Sequence, residues 1–139
     1  MRWNAEPAEV SAKPVSGYLR SFPAAPTFER AAGWIKDVLT ASGTQINIGL
    51  HLYSLFVSAD LPEPALRMDA DIRGGAQFPY EILAATVQNL LPAIEKLGIA
   101  TAAEVEVATL AKRMRDEVSA RNGVALSPAL IGAWSSKAV

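Results

Sequence analysis

The stretch "LRMDADIR", residues 66–73, decides how the rest of the chain is read. Leu66, Met68, Ala70 and Ile72 alternate with Arg67, Asp69, Asp71 and Arg73. This is the period-two pattern of a strand with one apolar and one charged face. A strand of that kind belongs near a sheet edge or antiparallel to its neighbour. Gly74-Gly75 closes it as a turn, and "DLPEP" (60–64) walls it off from what precedes, because neither proline continues a helix. A second strand is expected around 126–135, where Ala129 to Trp134 form an unbroken apolar run. Two strands do not make an independently stable sheet. The terminal strand therefore needs neighbours that the sequence does not visibly supply, and the chain reads as an incomplete domain.

Around these strands the apolar period changes to that of a helix. Residues 1–26 carry Pro7, Pro14, Pro23 and Pro26 and read as a connecting segment, with Tyr18, Leu19 and Phe22 as anchors onto something larger. Residues 27–139 form the subdomain proper. From Thr27, Phe28, Ala31, Ile35, Val38 and Leu39 fall on one face, and Gly43 stops the helix. Asn47 is placed to cap a second helix with the stripe Ile48, Leu52, Leu55, Phe56 and Ala59. Pro79 opens a third, with Ile82, Leu83, Val87, Leu90, Leu91 and Ile94 running to Gly98 and Pro92 kinking or splitting it. Thr101 and Glu104 form a capping box for a fourth. Its buried face is Val107, Ala111, Met114 and Val118, and its exposed side pairs Lys112 with Asp116 and Arg113 with Glu117. The expected architecture is an α/β fragment of about four helices and one antiparallel pair of strands.

Bulk properties bound the function. Half of the 139 residues are hydrophobic and the formal net charge is −1, which argues against a disordered tail. The 13 basic residues are scattered, whereas a surface that tracks phosphates clusters them, so no nucleic-acid partner is expected. Zero cysteines leave no disulfide or thiolate chemistry. The first ten residues lack the apolar core of a signal peptide, and no apolar run approaches the roughly 20 residues of a membrane span. A soluble cytoplasmic polypeptide without membrane contact is the expectation.

The element order and four stretches resemble the C-terminal part of class I S-adenosylmethionine-dependent methyltransferases of the small-molecule type. "FERAAGWIKDVLTASG" is similar to the helix that precedes the family's late cap region, and "INIGLHLYSLFVSADLPEP" to the helix leading into its sixth strand. "GIATAAEVEVATLAKRMRDE" is similar to the helix that follows, and "SPALIGAWSSKA" to the closing seventh strand. The likeness covers roughly residues 15–138, and it is carried by order and spacing rather than by a single motif. It implies that "LRMDADIR" and "PALIGAW" are the sixth and seventh strands, paired antiparallel at one edge of a seven-stranded, mostly parallel Rossmann-like sheet. It further implies that this chain completes the sheet edge and helps cover a small-molecule substrate receiving a methyl group from S-adenosylmethionine. The family's acidic-Gly-x-Gly-x-Gly turn has no counterpart here, so the first half of the enzyme is absent and this chain alone is expected to bind no cofactor and to be inactive. Asp60 stands where the family has glycine, a change that an aspartate tolerates at a helix end. The other reading is a standalone, non-enzymatic binding or dimerisation module, so that the expected macromolecular partner is a missing N-terminal half or a second copy.

No residue pattern specifies catalysis. His51, the only histidine, has an ordinary reading as a structural or exposed side chain; its rival reading is a group in a substrate pocket that changes charge near neutral pH. Asp69 and Asp71 lie beside Arg67 and Arg73 and read as a solvated face; a hard metal wants more converging oxygens than two, so no metal site is expected. Tyr18, Trp34, Tyr53 and Tyr80, with Phe22, are the aromatics placed by the resemblance near the substrate cover. Ordinary core packing competes for each of them. The candidate pocket is therefore Tyr18, Trp34, His51, Tyr53 and Tyr80, with no catalytic or cofactor-binding residue assigned.

Overall fold

The structure is a computed structural model that describes residues 8–12 and 19–136. Two short strands come first, β1 (Ala8–Ala12) and β2 (Arg20–Phe22). Helix α1 (Pro26–Ala41) follows, with Pro26 in its first turn, where a missing N–H costs nothing, and Gly43 beyond its end at φ 77°. Phe28, Ala31, Trp34, Ile35 and Val38 form its buried face. The expected second helix is split: Ile48–His51 is a 3-10 turn, and only Leu52–Ser58 is α-helical (α2). Asn47 makes no side-chain capping bond there, and Leu55 and Ala59 are exposed, so the expected stripe shrinks to Leu52 and Phe56. Asp60 ends the segment in the left-handed region, φ 57°, a conformation that an aspartate tolerates better than most residues.

"LRMDADIR" is strand on both sides of a break: β3 (Ala65–Asp69) and β4 (Ile72–Gly74). Helix α3 (Tyr80–Lys96) then runs unsplit through Pro92, whose exposed position leaves the unbonded carbonyl one turn back at the solvent side. Thr101 caps as expected, accepting the Glu104 N–H at its Oγ1, 3.1 Å away, while the Glu104 carboxylate accepts from the Thr101 hydroxyl at 3.2 Å and so does not close the reciprocal half of the box. The helix it starts is a single turn, α4 (Ala102–Val105), because Glu106 turns left-handed at φ 46° before α5 (Val107–Ala120) begins. Arg113 donates to the Val105 and Glu106 carbonyls at that break, 2.6 and 3.1 Å away, and so does not make the expected pair with Glu117. Glu117 instead accepts from the Thr27 N–H at the start of α1. Lys112 and Asp116 pair as expected, at 2.6 Å. The closing strand is likewise two, β5 (Val124–Leu126) and β6 (Leu130–Ser135).

The sheets explain both splits. Two three-stranded antiparallel sheets form, β1-β6-β3 and β2-β5-β4, with the closing strands central in each. One ladder ends at Asp69↔Leu130 and the next begins at Ile72↔Leu126. Between them Ala70 and Asp71 face Ser127, Pro128 and Ala129, an offset of one residue that bends the strands as a bulge does. Pro128 cannot donate to a ladder, and Ser127 holds the gap by donating its N–H to the Asp71 carbonyl and accepting the Asp71 N–H at its hydroxyl, both at 2.9 Å. The antiparallel pairing of "LRMDADIR" with "PALIGAW" is thus observed. Its neighbours differ from expectation: β1 and β2, both within residues 1–26, flank the closing strands on the other side. Three- and five-residue strands between prolines are too short to show a period, which is why that stretch reads as a connector.

The main core lies where α1, α3 and α5 cover one side of β2-β5-β4. Phe28, Phe78 and Tyr80 pack edge-on or tilted with ring centroids 5.2 to 6.2 Å apart, an arrangement that adds roughly 0.5–1.5 kcal/mol per pair beyond burial. Gly123 is required where β5 starts against the end of β2, since a Cβ there would stand 2.9 Å from the Phe22 carbonyl oxygen. A second, small cluster joins Leu52 and Phe56 of α2 to Ile131 and Ala133 of β6. Gly49 lets this turn approach the sheet, because a Cβ would lie 3.0 Å from Ile131 Cδ1. Register partners share a face, so Leu66 and Met68 point to the same side as Ala133 and Ile131. The alternation predicts their burial, yet they are 48% and 52% exposed, and Ile72 is 62% exposed. The seven-residue α2 reaches the central strand and leaves the edge strand uncovered.

Candidate functional site

A cleft of about 550 Å³ opens between α1, the start of α3 and the break in the strands. That is within the size range of small-molecule sites. Ile35 and Leu39 on α1 and Leu19 before β2 line one side. The other is α3, where Ile82, Thr86 and Asn89, spaced for one helix face, lie beside Leu83 and Leu90. Residues 79 to 90 span about 16 Å along a helix, so the cleft is elongated. Asp71, Ser127 and Pro128 supply the part of the wall made by the bulge, and the same three residues border an adjoining hollow of about 370 Å³ with Asp69, Ala70 and Leu130.

Its lining is mostly apolar, with the few polar groups that give orientation in such sites. Ser127 is committed to the Asp71 backbone. The Asp71 carboxylate has Arg73 at 3.9 Å and is otherwise open to solvent, so it is the cleft's charged acceptor. The Thr86 hydroxyl donates to the Ile82 carbonyl and keeps its lone pairs free to accept. Such an arrangement can hold an apolar body and accept hydrogen bonds from it; nothing in it pairs a nucleophile with a base.

Of the five residues singled out from sequence, the four that are described fall in two separate regions. Trp34 is buried on α1 in the main core, with the Arg30 guanidinium 5.3 Å from its ring centroid. Tyr80 is wholly buried in the same core, donates its hydroxyl to the Gly75 carbonyl at 2.5 Å and carries Arg115 over its ring. Burial raises the Tyr80 pKa, opposed by the nearby Arg115 charge. His51, just before α2, and Tyr53, within it, are exposed in the other region. A hydrogen bond to Glu63, and then that carboxylate's charge, raises the Tyr53 pKa. Tyr18 lies outside the described residues. None of the other four lines the cleft. The residues that do line it were hidden by their ordinariness: Ile82 belongs to an apolar stripe and reads as core, yet it is 67% exposed.

The glycine doublet does not form a cofactor cradle. Gly75 is left-handed at φ 54° and its N–H is spent on the Gly123 carbonyl at 2.8 Å, so it is the turn expected after β4. Asp69 pairs with Arg67 at 3.1 Å, and no group of three His, Cys, Asp or Glu is placed to hold a metal among the described residues. No helix of the described residues is long and apolar enough to cross a membrane. No protein-family model matches the chain, and no curated protein matches it.

Proposed function

We propose that this chain is the C-terminal, substrate-side portion of an S-adenosylmethionine-dependent methyltransferase acting on a small molecule, and that it is inactive by itself. The observation that supports this reading best is the antiparallel pairing of β3 with β6 across the intervening helices α3 to α5, the arrangement implied for a sixth and seventh strand at the edge of a Rossmann-like sheet. The apolar cleft on the same helices suits a substrate cover. In the complete enzyme these residues would hold and orient the methyl acceptor, where alignment supplies most of the acceleration. No step of methyl transfer is assigned to a residue of this chain. Calorimetry tests the proposal: S-adenosylmethionine should give no binding heat with this chain, and saturable binding once the polypeptide encoded directly upstream is joined to it. Saturable binding by the chain alone, or an upstream segment without an acidic-Gly-x-Gly-x-Gly turn, would overturn it.

A second reading, a standalone non-enzymatic binding or dimerisation module, is favoured by one observation. The main core and the cleft are both built from this chain's own residues. In that case the isolated chain should unfold cooperatively and bind an apolar fluorescent probe that an Ile82→Asp substitution excludes.

A further inference from the structure

We infer that β3 is a self-pairing edge through which two copies of this chain join their sheets, centred on Met68. The inference gives the dimerisation of the second reading a specific edge and register, and it does not depend on the first, which leaves this edge open. Among the described residues β3 has a strand on one side only, β6. An uncovered edge presents unpaired N–H and C=O groups to a second strand unless the chain blocks it. Proteins block such edges with proline, bulges, short strands or charges; residues 65 to 69 contain no proline, the bulge begins only after Asp69, and the two charges on this five-residue strand, Arg67 and Asp69, are of opposite sign.

The side chains select the partner and the register. Arg67 and Asp69 share one face of the strand, and Leu66 and Met68 share the other. A twofold axis through Met68, perpendicular to the sheet, places each Arg67 directly opposite Asp69 of the second copy and Met68 opposite its own equivalent. Shifting the axis to Arg67 would instead set Arg67 against Arg67. Opposite charges facing across an antiparallel pair stabilise and like charges destabilise, so the strand prefers its own copy in the Met68 register. The result is the isologous contact expected of a twofold dimer and one continuous antiparallel sheet in the order β1-β6-β3-β3-β6-β1.

The apolar side agrees. Leu66 and Met68 lie on the sheet face that carries α2, and both are about half exposed. Pairing through the twofold keeps that face continuous and brings the two Met68 side chains and their Leu66 neighbours together on it. Arg67 and Asp69 now pair only with each other along one strand, with 71% and 61% of their side chains exposed. Substituting them therefore tests the contact with little risk to the fold.

Sedimentation of the chain at low salt should show a concentration-dependent dimer. Arg67→Asp or Asp69→Arg sets like charges opposite each other twice per dimer and should weaken association about tenfold. The double substitution Arg67→Asp with Asp69→Arg exchanges the charges and should restore dimerisation to near its original strength, with circular dichroism unchanged throughout. A chain that stays monomeric, single variants that associate as tightly as the original, or a double variant as weak as the singles would each overturn the inference.

Discussion

The two sheets of this molecule have three strands each, the less covered one built from the longer strands, and very different cover. Among the described side chains, three long helices bury nineteen in one cluster over β2-β5-β4; over β1-β6-β3 a seven-residue helix forms a cluster of four. Of the twelve large apolar side chains that stay exposed among the described residues, seven, from Leu50 to Met68, fall in and beside that short helix. The strands themselves do not account for the difference, since β5 and β6 are one stretch of chain bent at Ser127-Pro128-Ala129. What differs is the length of helix available on each side of the bend. Apolar burial is stabilising in proportion to area removed from water, so the first region carries the chain's stability and the second holds on with little of its own.

Truncating the large core should separate the regions most sharply. Phe28→Ala removes a wholly buried ring from the aromatic trio and should cost about 3–5 kcal/mol, read as a lowered urea midpoint for the entire chain. Phe56→Ala removes the same group from the small cluster, where the exposed surroundings can close around the gap, and should cost about 2 kcal/mol or less. Equal costs at the two positions would break the comparison. Tyr80→Phe deletes only the hydrogen bond to the Gly75 carbonyl and should cost about 1 kcal/mol in the same assay.

The smallest effect is electrostatic. The hydrogen bond from Arg115 holds the Glu81 carboxyl below its ordinary 4.5, helped by its own backbone. A carboxyl whose pKa is depressed on folding favours the folded state above its unfolded value, and that contribution is lost as pH falls through the folded value. Because the pair is exposed, the expected signature is spectroscopic. The NMR titration midpoint of Glu81 should lie below 4.5 and move up towards it in Arg115→Gln or at high salt.

Much of the first region was legible from sequence because its signals are local. The stripe of α1, the run of α3 and the Thr101–Glu104 cap are fixed by residues three or four apart. The alternation in 66–73 was equally legible as strand, and its partner was rightly sought in the closing run. What alternation cannot carry is whether anything lies over the apolar face. Leu66 and Met68 look buried by pattern and are exposed because α2 stops short, a property of distant residues. The bend was hidden for a similar reason: "LRMDADIR" shows no break, and only the opposing Pro128 forces one. The cleft escaped altogether, since it is a gap left between packed elements, and the aromatics that attracted attention are divided between core and solvent.

Hydrogen exchange followed by mass spectrometry tests the unequal-regions account most directly. In dilute solution, amides of α2 should exchange at least about tenfold faster than those of α3 and α5, through a local opening that leaves the large core intact. Exchange of all three helices at one common, slow rate would show a single cooperative unit and contradict the account.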